Sequence, residues 1–165
     1  MLAQRCSTHS PVASHRGSRL PVRAKLLPKS ALLHVELYGT VGPGELWEAL
    51  NGMYQRPDYI RGMTEVGDFR GVTDMQAGYD DMLAFTTIYT KFHNANPEPL
   101  NLFLLDQNRL GFSIAEMYIA FAESMDSTVN INVMPGYPEI FAALDLSEEQ
   151  IAEFPPHCLD ETHLL

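Results

Sequence analysis

Four short apolar runs, over residues 31–38, 64–74, 100–106 and 129–134, are separated in every case by a stretch with helical apolar spacing. Strands joined through helices lie side by side in parallel, with right-handed crossovers, because a tight hairpin cannot form between them. The spacing predicts an α/β fold: a single domain built on a mostly parallel four-stranded sheet with flanking helices. Ligands and partners of such sheets meet the chain beyond the carboxyl ends of the strands. In the second run, Thr64-Glu65-Val66-Gly67-Asp68-Phe69-Arg70-Gly71-Val72-Thr73-Asp74, this places Asp68 and Arg70 at the polar tip of a buried strand.

A chain of 165 residues with 45% hydrophobic content can bury one sizeable core. No apolar run approaches the roughly 18–20 residues of a membrane span. Cys6 and Cys158 form neither a disulfide framework nor a CxxC pair, which makes a reducing, cytoplasmic setting the default. Charge is divided unevenly. Residues 1–30 carry six basic groups and no acid, whereas residues 31–165 hold 5 basic and 21 acidic groups, a net −16. So acidic a body repels phosphate backbones and argues against nucleic acid as a partner.

Pro11, Gly17, Pro21 and Pro28 interrupt any amphipathic pattern in residues 1–30, so this segment reads as a disordered basic extension. Its Arg- and Ser-rich, acid-free composition also fits an organelle transit peptide. The domain proper is expected over 31–154. A flexible tail is expected over 155–165, because Pro155-Pro156 ends the last helical pattern. Within 31–38, Val35 and Leu37 alternate with His34 and Glu36, as in a strand with one wetter face. The glycine-rich turn that follows lacks the G-x-G-x-x-G order of a phosphate loop, and Glu45 would stand where phosphate must sit. It reads instead as a helix start with Gly42 at N-cap, Pro43 at N1 and Glu45 at N3. A helix over about 77–92 appears apolar on two sides, one through Met82, Thr86 and Tyr89 and the other through Phe85, Ile88 and Phe92. Ser113 and Glu116 suggest a capping box for the next helix, and Ser147 and Gln150 another.

Asp68 and Asp106 both end strands, with Arg70 and Arg109 close by in sequence. Two carboxylates there could hold Mg²⁺ or act as acid and base, but each Asp can equally cap a helix or pair with its Arg. Asp68 and Arg70, two apart on a strand, share a face. No Gly-x-Ser-x-Gly elbow is present, and Lys91 is the one lysine after residue 30. His34 and His93 read as isolated histidines, and His157, Cys158 and His163 offer three ligands where structural zinc takes four. No catalytic, cofactor or metal residue is therefore assigned. The candidate ligand or partner surface comprises Asp68, Arg70, Asp106, Arg109, Phe85, Ile88 and Phe92.

Residues 68–73, Asp68-Phe69-Arg70-Gly71-Val72-Thr73, are similar to the Asp-Leu-Ser-Gly-Val of STAS domains, and residues 133–144 to their last strand and Ala-Leu-containing helix. Over 31–146 the chain resembles the small SpoIIAA-like proteins, related in fold to STAS domains (sulfate transporter and anti-sigma antagonist) and more loosely to CRAL-TRIO lipid-binding domains. The resemblance implies a non-catalytic binding or regulatory module with a protein partner. The phosphorylatable serine of the antagonists has no counterpart, since Gln76-Ala77-Gly78 stands at its place. The CRAL-TRIO likeness implies, as an alternative, a carrier of an apolar small molecule. An enzyme using Asp68 and Asp106 is a second alternative, and a homodimer through Phe85, Ile88 and Phe92 would cover the second side of that helix.

Overall fold

The computed structural model describes residues 20–106 and 110–160, with side chains described outside 110–113. The elements are β1 (Val22–Leu27), β2 (Leu32–Val41), α1 (Pro43–Tyr54), β3 (Thr64–Met75), α2 (Tyr79–His93), β4 (Leu100–Leu105), α3 (Leu110–Glu123), β5 (Val129–Met134), α4 (Tyr137–Ala143), α5 (Glu148–Ile151) and α6 (Pro156–Leu159). They form a single α/β domain around one five-stranded sheet in the order β1-β2-β3-β4-β5. β2 to β5 run parallel, as helical crossovers require, and β1 pairs antiparallel with β2. Among the described residues no helix is long and apolar enough to cross a membrane.

The fifth strand corrects the count of four, and it puts residues 22–27 of the expected basic extension into the sheet; residues 1–19 of that extension lie outside the described residues. Pro21 and Pro28 bracket β1 rather than break it. Its charged Arg23 and Lys25 alternate with Val22, Ala24 and Leu26, a pattern suited to an edge strand, where charge discourages further pairing. The tight return to β2 puts Ala31 at φ 51°. That turn is tied to the far end of the chain: Glu153 accepts from the Lys29 and Ser30 amides at 3.0 and 2.9 Å, and Lys29 pairs with Glu149.

Two cores lie on opposite faces of the sheet. On one, Leu33, Val35 and Leu37 of β2 and Leu104 of β4 meet Leu46 and Leu50 of α1, Tyr89 of α2 and Tyr118 of α3. On the other, Leu32, Val66, Phe103 and Leu105 meet Tyr137, Ile140 and Phe141 of α4, Phe154, and Cys158 of α6. β2 consequently has no wetter face. His34 and Glu36 are buried, because the C-terminal helices fold back over the side that alternation alone assigns to water. The same packing corrects the tail expectation for its described part, residues 155–160, since Pro156 begins a helical turn and Cys158 is fully buried; the rest of the tail lies outside the described residues.

The expected cap of α1 is present: the Glu45 carboxylate accepts from the Gly42 amide at 3.0 Å. Ser147 and Gln150 form theirs at α5. α3 begins at Leu110, so Ser113 lies inside the helix rather than at its start. α2 is not buried on both sides. Met82, Thr86, Tyr89 and His93 form one buried stripe, whereas Phe85 and Phe92 are half-buried and Ile88 is exposed.

Candidate functional site

β3 continues to Met75, paired with β2 beyond two register shifts, so Asp68 and Arg70 are mid-strand rather than at a tip. Gly71 permits this continuation. A Cβ there would stand 2.6 Å from the Leu37 carbonyl oxygen and 2.7 Å from the Tyr38 ring. β4, in contrast, ends at Leu105, in register with Asp68, which leaves Asp68 at the carboxyl edge of that side of the sheet. As expected, Asp68 and Arg70 share a face. The guanidinium grips both carboxylate oxygens, at 2.9 and 2.7 Å, and the Arg70 amide adds a bond of 3.0 Å.

The next partner comes from α4. The Tyr137 hydroxyl donates to Asp68 Oδ2 at 3.0 Å and lies 2.7 Å from His34 Nε2, while the Arg70 guanidinium sits 4.9 Å from the centre of the Tyr137 ring. A phenol has one proton. Given to Asp68, it leaves the oxygen to accept from His34, which places the imidazole hydrogen on Nε2. Burial holds His34 down to about 4, so the ring is neutral at physiological pH. Burial pushes Asp68 up, but the hydrogen bonds and charge of Arg70 outweigh it and keep the carboxyl below its usual range. With both oxygens occupied, Asp68 anchors α4 to the sheet and is not poised as a base.

Glu36 of β2 lies in register with Asp68. It accepts from the Tyr38 hydroxyl at 2.8 Å and contacts His157 Nε2 of α6. The neighbouring Cys158 thiol is buried in the same cluster as Tyr137. Donor atoms of Glu36, His157 and Cys158 all lie within 4.8 Å of one another, the one grouping of three or more metal-type donors among the described residues. Burial pushes the thiol up to about 12, which makes Cys158 unreactive unless its proton is displaced.

The opposite face carries a second buried polar cluster. Glu65 accepts from Tyr54 at 2.8 Å and from Tyr89 at 2.7 Å, and His93 Nε2 lies 3.2 Å from the Tyr54 hydroxyl. Burial pushes Glu65 up to about 7, opposed by the two tyrosine hydrogen bonds, and lowers His93 to about 4. His93 Nδ1, the Tyr59 hydroxyl and Asn96 Nδ2 are buried without a partner among the described residues. Beside this cluster is an apolar cavity of about 60 Å³, lined by Leu37, Gly67, Phe69, Leu104 and Tyr118 among others.

Beyond the carboxyl ends of β2 and β3, the first turns of α1 and α2 border an open crevice of about 490 Å³. Trp47, Phe85 and Ile88 supply its apolar part, and Glu45 and Asp81 its acidic part. Both carboxylates are engaged, Glu45 on the Gly42 amide and Asp81 on the Gly78 amide at 2.9 Å. Each helix start is thus closed by its own side chain, which disfavours a bound anion.

The candidate residues are therefore divided. Asp68 and Arg70 belong to the α4 face, whereas Phe85 and Ile88 belong to the α1–α2 crevice, and Phe92 stacks on Tyr54 with ring centres 4.2 Å apart. Asp106 follows β4, its amide 3.4 Å from the Met134 carbonyl, and Arg109 lies outside the described residues, as do Cys6 and His163. Sequence reasoning missed Glu36, Tyr137, His157 and Cys158 as neighbours of Asp68, and missed the Glu65, Tyr54, Tyr89 and His93 cluster. One signal was present: Glu65 is an acid inside an apolar strand, a position that demands buried donors. No protein-family model and no curated protein sequence matches the chain.

Proposed function

We propose that the protein is a non-catalytic binding module of the STAS-like kind, without a phosphorylatable serine, and that it takes a protein partner in the crevice between α1 and α2. The observation that carries this reading is the chemistry of the crevice. Its helix N-termini are self-capped, leaving an apolar floor of Trp47, Phe85 and Ile88 beside an acidic margin. Such a surface suits an apolar side chain flanked by basic groups better than it suits a phosphate. It also stands where α/β sheets receive ligands.

The experiment compares proteins retained from native extract by the wild-type chain and by Ile88→Asp. A partner held by the first and lost by the second supports the reading, and identical retention overturns it. Turnover of phosphoester or acyl substrates that disappears with Asp68→Asn would favour the enzyme alternative. For the carrier alternative, the enclosed apolar cavity of about 60 Å³ is far below the roughly 300–1,000 Å³ of an ordinary small-molecule site, so a carried molecule would have to lie in the open crevice of about 490 Å³ beside Phe85 and Ile88. Native mass spectrometry before and after organic extraction tests it directly, an unchanged mass counting against carriage.

A further inference from the structure

α6 brings two successive residues with different donors, the His157 imidazole and the Cys158 thiol, against the Glu36 carboxylate from the middle of β2. These segments are about 120 residues apart in sequence, and they meet because the last helices close over the sheet face that holds Glu36. A tetrahedral ion bound at about 2.0–2.3 Å holds its ligand atoms roughly 3.3–3.8 Å apart. The three donors, all within 4.8 Å of one another, need only small shifts to reach that spacing, with Glu36 and His157 moving apart from their hydrogen-bond contact.

We propose that Glu36, His157 and Cys158 form a zinc site with three protein ligands and an open fourth position. The donor set selects the ion. Thiolate and imidazole exclude the hard, all-oxygen coordination of Mg²⁺ and Ca²⁺, whereas sulfur, nitrogen and carboxylate oxygen together suit Zn²⁺. Binding replaces the Cys158 S–H bond by a zinc–sulfur bond and releases the proton to solvent. One thiolate and one carboxylate then balance the charge of the ion, while the neighbouring Asp68 remains neutralised by Arg70.

The surroundings are built for oriented donors. Tyr38 fixes Glu36 through a hydrogen bond of 2.8 Å, and Tyr137, itself held by His34 and Asp68, is buried in the same cluster as Cys158. Such outer partners orient ligands and tune the metal. His157 is half exposed and provides the route of entry. The ion would fasten α6 to β2, with water completing its coordination. This site is separate from the α1–α2 crevice and does not depend on the binding reading given above.

The test uses the full chain, stripped with chelator and titrated with Co²⁺ alone. The expected result is one equivalent bound, with a thiolate-to-cobalt charge-transfer band in the near ultraviolet, intense tetrahedral d–d bands, and displacement by Zn²⁺. Cys158→Ser should abolish the charge-transfer band, Cys6→Ser should leave it intact, and His157→Ala and Glu36→Gln should each weaken binding by more than about tenfold. His157 is partly solvent-facing, so His157→Ala keeps the test decisive even if a buried substitution unfolds the chain. Absence of the band in excess Co²⁺, its loss with Cys6→Ser, or binding unaffected by His157→Ala would overturn the proposal.

Discussion

Glu65 and Asp68 stand three residues apart on β3, both buried, on opposite faces of the same sheet, and their acidities move in opposite directions. Glu65 meets two tyrosine hydroxyls and a neutral histidine, so burial prevails and lifts it to about 7. Asp68 meets a two-pronged guanidinium, so burial loses. The difference teaches that depth alone does not set the charge of an interior carboxyl; a full countercharge does, and hydroxyl donors only moderate the cost. It also separates roles: the guanidinium keeps Asp68 an ionised anchor, whereas burial brings the Glu65 carboxyl up to about 7.

The strongest way to break the comparison is to remove the countercharge. Arg70→Met leaves Asp68 with Tyr137 as its remaining side-chain donor on a buried carboxylate, and should cost about 3–5 kcal/mol in chemical denaturation at neutral pH. Asp68→Asn combined with Arg70→Met should recover part of that loss. A double variant no more stable than Arg70→Met alone would show that lost packing of the guanidinium, rather than an uncompensated charge, is responsible.

Glu65 tests the other half through pH. Its carboxyl is raised in the fold, so the stability it contributes is complete below its ordinary 4.5 and is lost as pH rises through about 7. Glu65→Gln should therefore gain on the wild type by roughly 3 kcal/mol between about pH 4.5 and pH 8, whatever constant offset its own hydrogen bonds introduce. His34 and His93 act in the opposite sense. Both are lowered to about 4, so their contribution is present above 6.5 and lost as pH falls through 4. With Glu65 gone, the acid-side fall in stability should steepen. Parallel stability–pH curves for variant and wild type would refute an elevated Glu65.

The two glycines of the same strand sharpen the contrast at the backbone. Gly71→Ala drives a Cβ against the Leu37 carbonyl and should cost about 1–3 kcal/mol. Gly67→Ala meets the ends of the Leu104 and Phe69 side chains at 3.2 Å, beside the cavity on the Glu65 face, where they have room to shift. It should stay within about 1 kcal/mol of wild type. Equal losses in thermal melts would mean that the cavity gives no slack.

The smallest stability effect is expected at the surface. Ile88→Asp on exposed α2 should change unfolding free energy by no more than about 0.5 kcal/mol. If that face also pairs with a second copy, sedimentation velocity will show a dimer becoming a monomer. An unchanged sedimentation coefficient would rule out Ile88 as a dimer contact.

Local chemistry made much of this molecule readable in one dimension. Gly42, Pro43 and Glu45 mark a helix start because the groups that satisfy its amides are within a few residues, and Ser147 with Gln150 does the same. The parallel core followed from helix-length segments between apolar runs, and the Asp68–Arg70 pair from side-chain alternation on one strand. β1 escaped notice because its Arg and Lys share a strand too short to announce itself, and its pairing partner rather than its composition makes it a strand. Glu36 with His157 and Cys158, Asp68 with Tyr137, and Glu65 with Tyr89 and His93 belong to another category. Each joins residues separated by tens of positions or more, on elements whose contact depends on which sheet face a helix covers. Alternation identifies the two sides of a strand, but only packing decides that both become dry, and it is desolvation that turns ordinary polar residues into paired or protonated groups.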